Sequence, residues 1–202
     1  MWRQESWVLE ESFWLTYIEV NEMVKWEQRE KIEIPSGVSA EASNGTFTFK
    51  GKLGKTSRTL LDNYVKVELE NKAITLSISK ANRYTKGIVG TWASELRNCI
   101  KGVQEGFTYA MKVDYTHFPT RVSVKGGKVV VENFLGERSH REAEIVGDTK
   151  VSIKGDRLTL TGIDKRHIGE TCANIERSTK IKGFDLRIFQ DGIFPVEVED
   201  EE

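Results

Sequence analysis

Apolar and polar residues alternate along much of the chain. In "GTFTFKGKLG", from Gly45, Phe47 and Phe49 stand at every second position; in "GKVVVENFLG", from Gly127, Val129 and Val131 do the same and Phe134 comes next with an offset. Val151, Ile153, Leu158 and Leu160 continue the pattern across a Lys154-Gly155-Asp156 turn. A period of two puts one side of a strand in a core and the other in water, which predicts antiparallel sheet. Two stretches change period. Ile88, Trp92, Leu96, Cys99 and Val103 recur at helical spacing, with Asn82 as N-cap and Gly102 where a C-terminal stop is expected. Gly87 and Gly90 weaken the first turns of that helix, each by about 1 kcal/mol relative to Ala. The second helix opens on Asp164 as N-cap and carries Ile168, Cys172 and Ile175 on one face.

These elements come twice. Gly45 is echoed by Gly127, Phe47 by Val129, Phe49 by Val131, and Leu53-Gly54 by Leu135-Gly136, all at a separation of 82 residues. With a two-residue slip, "VKVELENKAITL" from Val65 pairs with "TKVSIKGDRLTL" from Thr149. The expected fold is therefore α+β, two tandem similar domains, each an antiparallel sheet with one helix packed on one face, spanning residues 23–107 and 108–196. They join near Gly106-Phe107-Thr108-Tyr109 without a Pro/Ser-rich linker, so they are expected to pack together with limited hinge freedom.

The repeat decides how to read Gly54-Lys55-Thr56, the second half of the phosphate-binding pattern G-x-x-x-x-G-K-[ST]. The first glycine of that pattern would fall on Phe49, and the stretch from Ser57 to the turn at Asp62-Asn63 is too short to be the required helix. Gly54 reads instead as a repeated turn glycine, and a nucleotide-binding protein is the weakest of the functions considered.

Composition bounds the rest. The 202 residues are 38% hydrophobic and 30% charged, enough for one good core or two small ones. No apolar run is long enough to cross a bilayer and the N-terminus has no signal-peptide pattern, so the expectation is a soluble cytoplasmic protein with no membrane partner. Cys99 and Cys172 are too few for a disulfide scaffold and read as small core residues. The net charge of −1 is segregated: residues 1–22 carry one Arg and five Glu, residues 197–202 carry five acids and no base, and the body between them is left at +8. A basic body permits a polyanionic partner, and the acidic tail reads as solvated. His117, His140 and His167 are scattered, and no pattern for a catalytic site, a metal site or a cofactor is present. His117 reads as part of a turn before Pro119, and Asp191-Gly192 as a turn before a short last strand.

The repeat, the junction "GF-Y-MKVDY-HFP" from Gly106 to Pro119, the turn "NFLGER" from Asn133, the helix start "GIDK" at Gly162 and the closing "RIFQDGIF" from Arg187 occur in one order. In that order and spacing the chain resembles the sixth ribosomal protein of the large subunit in its archaeal form, from about Lys31 to Phe194. The resemblance implies a structural constituent of the large ribosomal subunit and not an enzyme. It further implies contact with large-subunit rRNA mainly through the second domain, with neighbouring ribosomal proteins, and proximity to translation factors. The family's closing motif usually ends in Tyr where this chain has Phe194, and Pro195 comes next, so a hydroxyl and a backbone N–H are missing there.

RNA contact requires cations that reach phosphates on one surface. The candidates are Lys180, Lys182 and Arg187 around the end of the second helix, Lys165 and Arg166 in its first turn, and Arg138, His140 and Arg141 after Leu135-Gly136. Lys165 and Arg166 oppose the helix dipole, which a polyanionic partner would justify. A non-ribosomal RNA-binding or adaptor module is the alternative that the basic two-domain body would also fit. Residues 1–22 match nothing in the family. Met23 is taken as the native initiator, and the rival reading is a short amphipathic helix using Trp7, Trp14 and Ile18.

Overall fold

A computed structural model of the chain describes residues 27–70 and 73–197. The start at Met23, the tryptophans before it and tail residues 198–202 lie outside the described residues. The first half runs β1 (Glu27–Glu33), β2 (Ser39–Ser43), β3 (Thr46–Lys50), β4 (Lys55–Thr59), β5 (Val65–Glu70), β6 (Ala73–Ile78) and helix α1 (Arg83–Gln104). The second runs β7 (Phe107–Asp114), β8 (Arg121–Lys125), β9 (Lys128–Glu132), a 3-10 turn (Phe134–Gly136), β10 (Arg141–Glu144), β11 (Lys150–Lys154), β12 (Arg157–Gly162), α2 (Lys165–Ser178) and β13 (Gly192–Val196).

All strand pairs are antiparallel. In each half the strands divide between two sheets. The hairpins β2-β3-β4 and β8-β9-β10 correspond, and β1-β6-β5 corresponds to β7-β12-β11, with β13 added on the free side of β7. The sequence echo is a packing echo. Phe47, Phe49, Val129 and Val131 are all buried, and Gly45 and Gly127 close equivalent hairpins at φ +73° and +78°. Gly54 (φ +151°) closes the β3–β4 hairpin, where the Gly51 N–H donates to its carbonyl at 2.9 Å. Lys55 and Thr56 are strand residues opposite Lys50 and Phe49, so they do not open a helix of the kind a phosphate loop feeds.

α1 begins with a capping box in which Asn82 and Thr85 exchange side-chain and backbone hydrogen bonds of 2.8 and 3.1 Å. Its buried face holds Val89, Ala93, Leu96, Cys99, Ile100 and Val103, whereas Ile88 and Trp92 sit half-buried at the edge. The expected stop at Gly102 is corrected. The helix continues to Gln104 and ends at Gly106 (φ +76°), whose N–H donates to the Gly102 carbonyl at 3.1 Å. Gly102 serves packing: a Cβ there would overlap the carbonyl oxygen of Ile163, in the segment that leads into α2.

Each half has its own core. Phe49, Ile74, Leu76 and Leu96 are among the fully buried residues of the first, and Met111, Leu158, Ile168 and Ile193 among those of the second. Ile163 belongs to the second half in sequence but packs against the first core. The halves are also tied by charge. Arg58 of β4 donates to Asp164, the N-cap of α2, at 2.5 Å and to Glu95 of α1 at 2.9 Å. Among the described residues no helix is long and apolar enough to cross a membrane.

Candidate nucleic-acid interface

The segment 180–191 between α2 and β13 has little regular structure, and side chains from elsewhere in the second half hold both of its ends. At its start, Arg141 of β10 lies with its guanidinium 4.4 Å above the Phe134 ring and makes a two-point pair with Glu137, Nε at 2.8 Å and Nη2 at 2.5 Å. Its remaining nitrogen, Nη1, donates to the carbonyls of Ser178 (2.9 Å) and Lys180 (3.0 Å). These groups lie at and just beyond the C-terminus of α2, where the helix has no donors of its own. The hydrogen bonds from Arg141 hold the Glu137 carboxyl below the usual carboxylate range.

At the far end the buried carboxylate of Asp191 accepts the Thr116 N–H at 2.8 Å and faces His117 Nδ1 at 3.3 Å. The His117 ring stacks on Phe189 with centroids 4.3 Å apart, and Phe189 in turn touches Phe184 at 4.8 Å. Thr179 joins the two ends, since its hydroxyl oxygen accepts the Ile193 N–H of β13 at 3.2 Å.

Held in this way, the segment presents Lys180, Lys182 and Arg187 at exposed positions. Among the described residues none of the three forms an ion pair. Phe184, Leu186 and Ile188 beside them are 52%, 64% and 65% exposed, unusual for apolar residues on one short stretch. A cleft of about 900 Å³ opens between this segment, the end of α2 and the β7–β8 junction, with Tyr115, Lys180, Phe189, Gln190 and Phe194 in its lining.

The other predicted residues do not join this group. Lys165 and Arg166 are exposed in the first turn of α2, about 20 Å of helix away from Lys180. The Lys165 ammonium stands 5.8 Å over the Phe107 ring. There they border the groove between the halves beside Asp164, and the Arg166 N–H is the donor capped by Asp164. Arg138 is exposed and unpaired among the described residues. His140 faces Glu142 at 3.2 Å; that carboxylate also accepts from Lys128 at 2.7 Å, which together with His140 lowers its pKa. Arg141 is turned inward and spent on Glu137, Phe134 and two carbonyls, so its place in the fold is that of a strut beneath the cation cluster.

Asp191 and His117, which the sequence places in turns, prove to be the clasp at the far end. Their separation of 74 residues leaves no local pattern; the one available signal is an acid in a run of apolar residues, "IFQDGIF". Among the described residues no group of three His, Cys, Asp or Glu side chains is placed to hold a metal ion.

Comparison with known proteins agrees with this duplicated architecture. The family model for ribosomal protein L6 matches twice, over residues 34–106 and 118–192. The large ribosomal subunit protein uL6 of Picrophilus torridus is 58% identical over 172 residues, covering 85% of this chain and 96% of that protein. Those of Thermoplasma acidophilum and Methanosarcina mazei are 56% and 46% identical over 173 and 166 residues, covering 85% and 82% of this chain and 97% and 94% of theirs.

Proposed function

Because this chain belongs to the ribosomal protein L6 family, in its archaeal form, we propose that it is built into the large ribosomal subunit and binds large-subunit rRNA there chiefly through residues 108–196. Residues 23–107 form the companion repeat, and the assembled protein adjoins neighbouring ribosomal proteins and lies close to where translation factors bind. The role is structural, and the cytoplasm is where it is carried out.

The observation that carries the reading is the segment 180–191, anchored at one end by Arg141 and at the other by Asp191, with Lys180, Lys182 and Arg187 free to meet phosphates. Net charge would choose the other half, since residues 23–107 carry +5 and residues 108–196 carry +3. Local clustering decides instead, because exposed charges beyond a Debye length of about 8 Å are screened. Lys165, Arg166, Arg138 and His140 make a second, outer set of contacts along the same half. Arg141 acts beneath them as a positioning residue.

The test is the salt dependence of binding to a transcribed large-subunit rRNA fragment. Replacing Lys180, Lys182 and Arg187 by Ala is expected to weaken binding and to lower the slope of log K against log salt by about 0.9 per lost phosphate contact, taking duplex DNA as the guide. Lys50 and Lys66 are poor controls because they already pair with Glu41 and Glu68 at 2.6 and 2.7 Å. Lys52, Arg83 and Lys86, exposed and without ion pairs among the described residues, remove the same charge from the first half. Equal weakening by the two triple mutants would mean bulk electrostatics and would refute the assignment.

A further inference from the structure

The cations account for phosphates but not for the cleft beside them. Its walls are of a different kind. Tyr115 and Phe194 are 42% exposed each, and Phe189 is held by its stack on His117. Phe194 lies on β13, where the far edge of its ring settles over Gly192; a Cβ there would stand 2.6 Å from Cζ, so a residue other than glycine would displace the ring. Because Gly192 is itself buried, the ring is backed by protein and open toward the cleft.

The polar lining is divided by prior commitments. Asp191 is engaged by Thr116 and His117, and Asp114 by Lys112 at 2.7 Å. The side chains of Glu176 and Gln190 make no hydrogen bond or ion pair among the described residues and remain available, Gln190 as donor as well as acceptor. Lys180 lies on the same lining. A pocket of this size with aromatic walls and two cations, Lys180 and Arg177, on its lining suits a planar heterocycle attached to a phosphate. The exposed apolar chains alone would fit many partners; the charge complementarity of Lys180, Lys182 and Arg187 selects a polyanion.

We propose that this cleft receives one unstacked nucleotide of the bound RNA, its base against Phe194 and Tyr115 and its phosphate toward Lys180, with adenine preferred over uracil because the larger purine stacks more strongly on the rings. This rests on the reading of segment 180–191 as an rRNA-binding surface and adds to it a base-recognising pocket. Aromatic platforms take every base through its π-face, and the modest preferences among bases follow stacking strength.

The experiment uses the full chain with two probes: a tetraribonucleotide carrying 2-aminopurine between uridines, whose weak stacking leaves it bright when free, and the rRNA fragment used for the salt series. The wild type and Phe194→Tyr are expected to quench the 2-aminopurine fluorescence, and tetra-adenylate is expected to compete better than tetra-uridylate. Phe194→Leu keeps an apolar side chain and loses the ring; it is expected to weaken both probes about thirtyfold, the middle of the range for loss of one stacked base, while leaving the salt slope unchanged. An unchanged urea midpoint for Phe194→Leu establishes that the variant is folded, and the wild-type fluorescence does not depend on any variant. Absence of quenching by the wild type, or wild-type affinity in Phe194→Leu, would overturn the base pocket. In either case a lowered slope in the Lys180, Lys182 and Arg187 triple mutant would leave the rRNA surface standing, and an unchanged slope would remove both.

Discussion

Arg58 and Asp164, 106 residues apart in the chain, meet at 2.5 Å and join a strand of the first half to the first turn of the helix of the second. Both side chains are largely covered, at 14% and 11% exposure, and Glu95 completes the group on the other side of Arg58. Asp164 also caps α2 through the Arg166 N–H, so one carboxylate serves both the helix and the contact between the halves.

Removing Arg58 leaves the Glu95 and Asp164 carboxylates without the guanidinium they share, whereas Asp164→Asn keeps a capping side chain and leaves Arg58 its pair with Glu95. Arg58→Ala should therefore destabilise the protein by about 3 kcal/mol and Asp164→Asn by clearly less, since breaking a covered pair strands the partner charge. Urea unfolding of the two variants checks the order. Equal losses would mean that Arg58 acts through Asp164 alone.

The same pair predicts an acid limb. Burial pushes the Asp164 carboxyl up, but the Arg58 guanidinium and the Arg166 N–H outweigh it, and the net shift is downward. A carboxyl with a depressed folded pKa contributes stability above its unfolded pKa of about 3.9 and loses it as pH falls through the lower folded value. Wild type should lose stability on acidification below about pH 4 more steeply than Asp164→Asn, by the contribution of this one group. Parallel limbs in the two proteins would show that Asp164 carries no such linkage.

Two glycines of α1 should respond oppositely to alanine. At Gly90 nothing lies within 4 Å of a built Cβ, so Gly90→Ala should stabilise by up to about 1 kcal/mol through helix propensity. At Gly102 the Cβ would run into the Ile163 carbonyl, and Gly102→Ala should cost about 3 kcal/mol or more as the halves are forced apart. Thermal unfolding of both variants tests the pair, and a neutral Gly102→Ala would mean that α1 and the Ile163 segment can separate freely.

How much of the fold is legible in the sequence depends on the range of the physics. Phe47, Phe49, Val129 and Val131 announce buried strand faces because alternation is a property of neighbours, and Asn82 and Asp164 announce helix starts because a cap is satisfied within three residues. Gly102 looks like a helix stop in the sequence because the carbonyl that forbids a side chain there comes from residue 163. Arg141 groups with Arg138 as a cation for RNA because adjacency says nothing about direction, and the ring and carbonyls that draw it inward belong to residues 134, 178 and 180. The clasp of Asp191 on Thr116 and His117 is invisible for the same reason.

Cys99 and Cys172 are buried and unpaired, and burial pushes each thiol up to about 11. At pH 8 only about one thiol in a thousand would be ionised, and the thiolate is the reactive form. Ellman's reagent should leave both unreacted in the native protein and titrate both in urea. Rapid native labelling of either would mean that its helix opens easily.

The position of Arg141 gives the last prediction. It uses all three guanidinium nitrogens and the planar face at once, pairing with Glu137, covering Phe134 and donating to the carbonyls of Ser178 and Lys180. A lysine can hold a charge near Glu137 but cannot supply the fork, the stack and the two carbonyl bonds together. Arg141→Lys should therefore fall close to Arg141→Ala, each losing about 2 kcal/mol or more, because the carbonyls at the end of α2 are left without a donor. Neither variant removes Lys180, Lys182 or Arg187, so both should weaken rRNA binding with the salt slope retained, the cations still present but no longer held in place. Amide hydrogen exchange should show faster exchange in segment 180–191 of both variants while β11 and β12 remain protected. A lysine variant with wild-type stability and exchange would show that charge alone is required at this position.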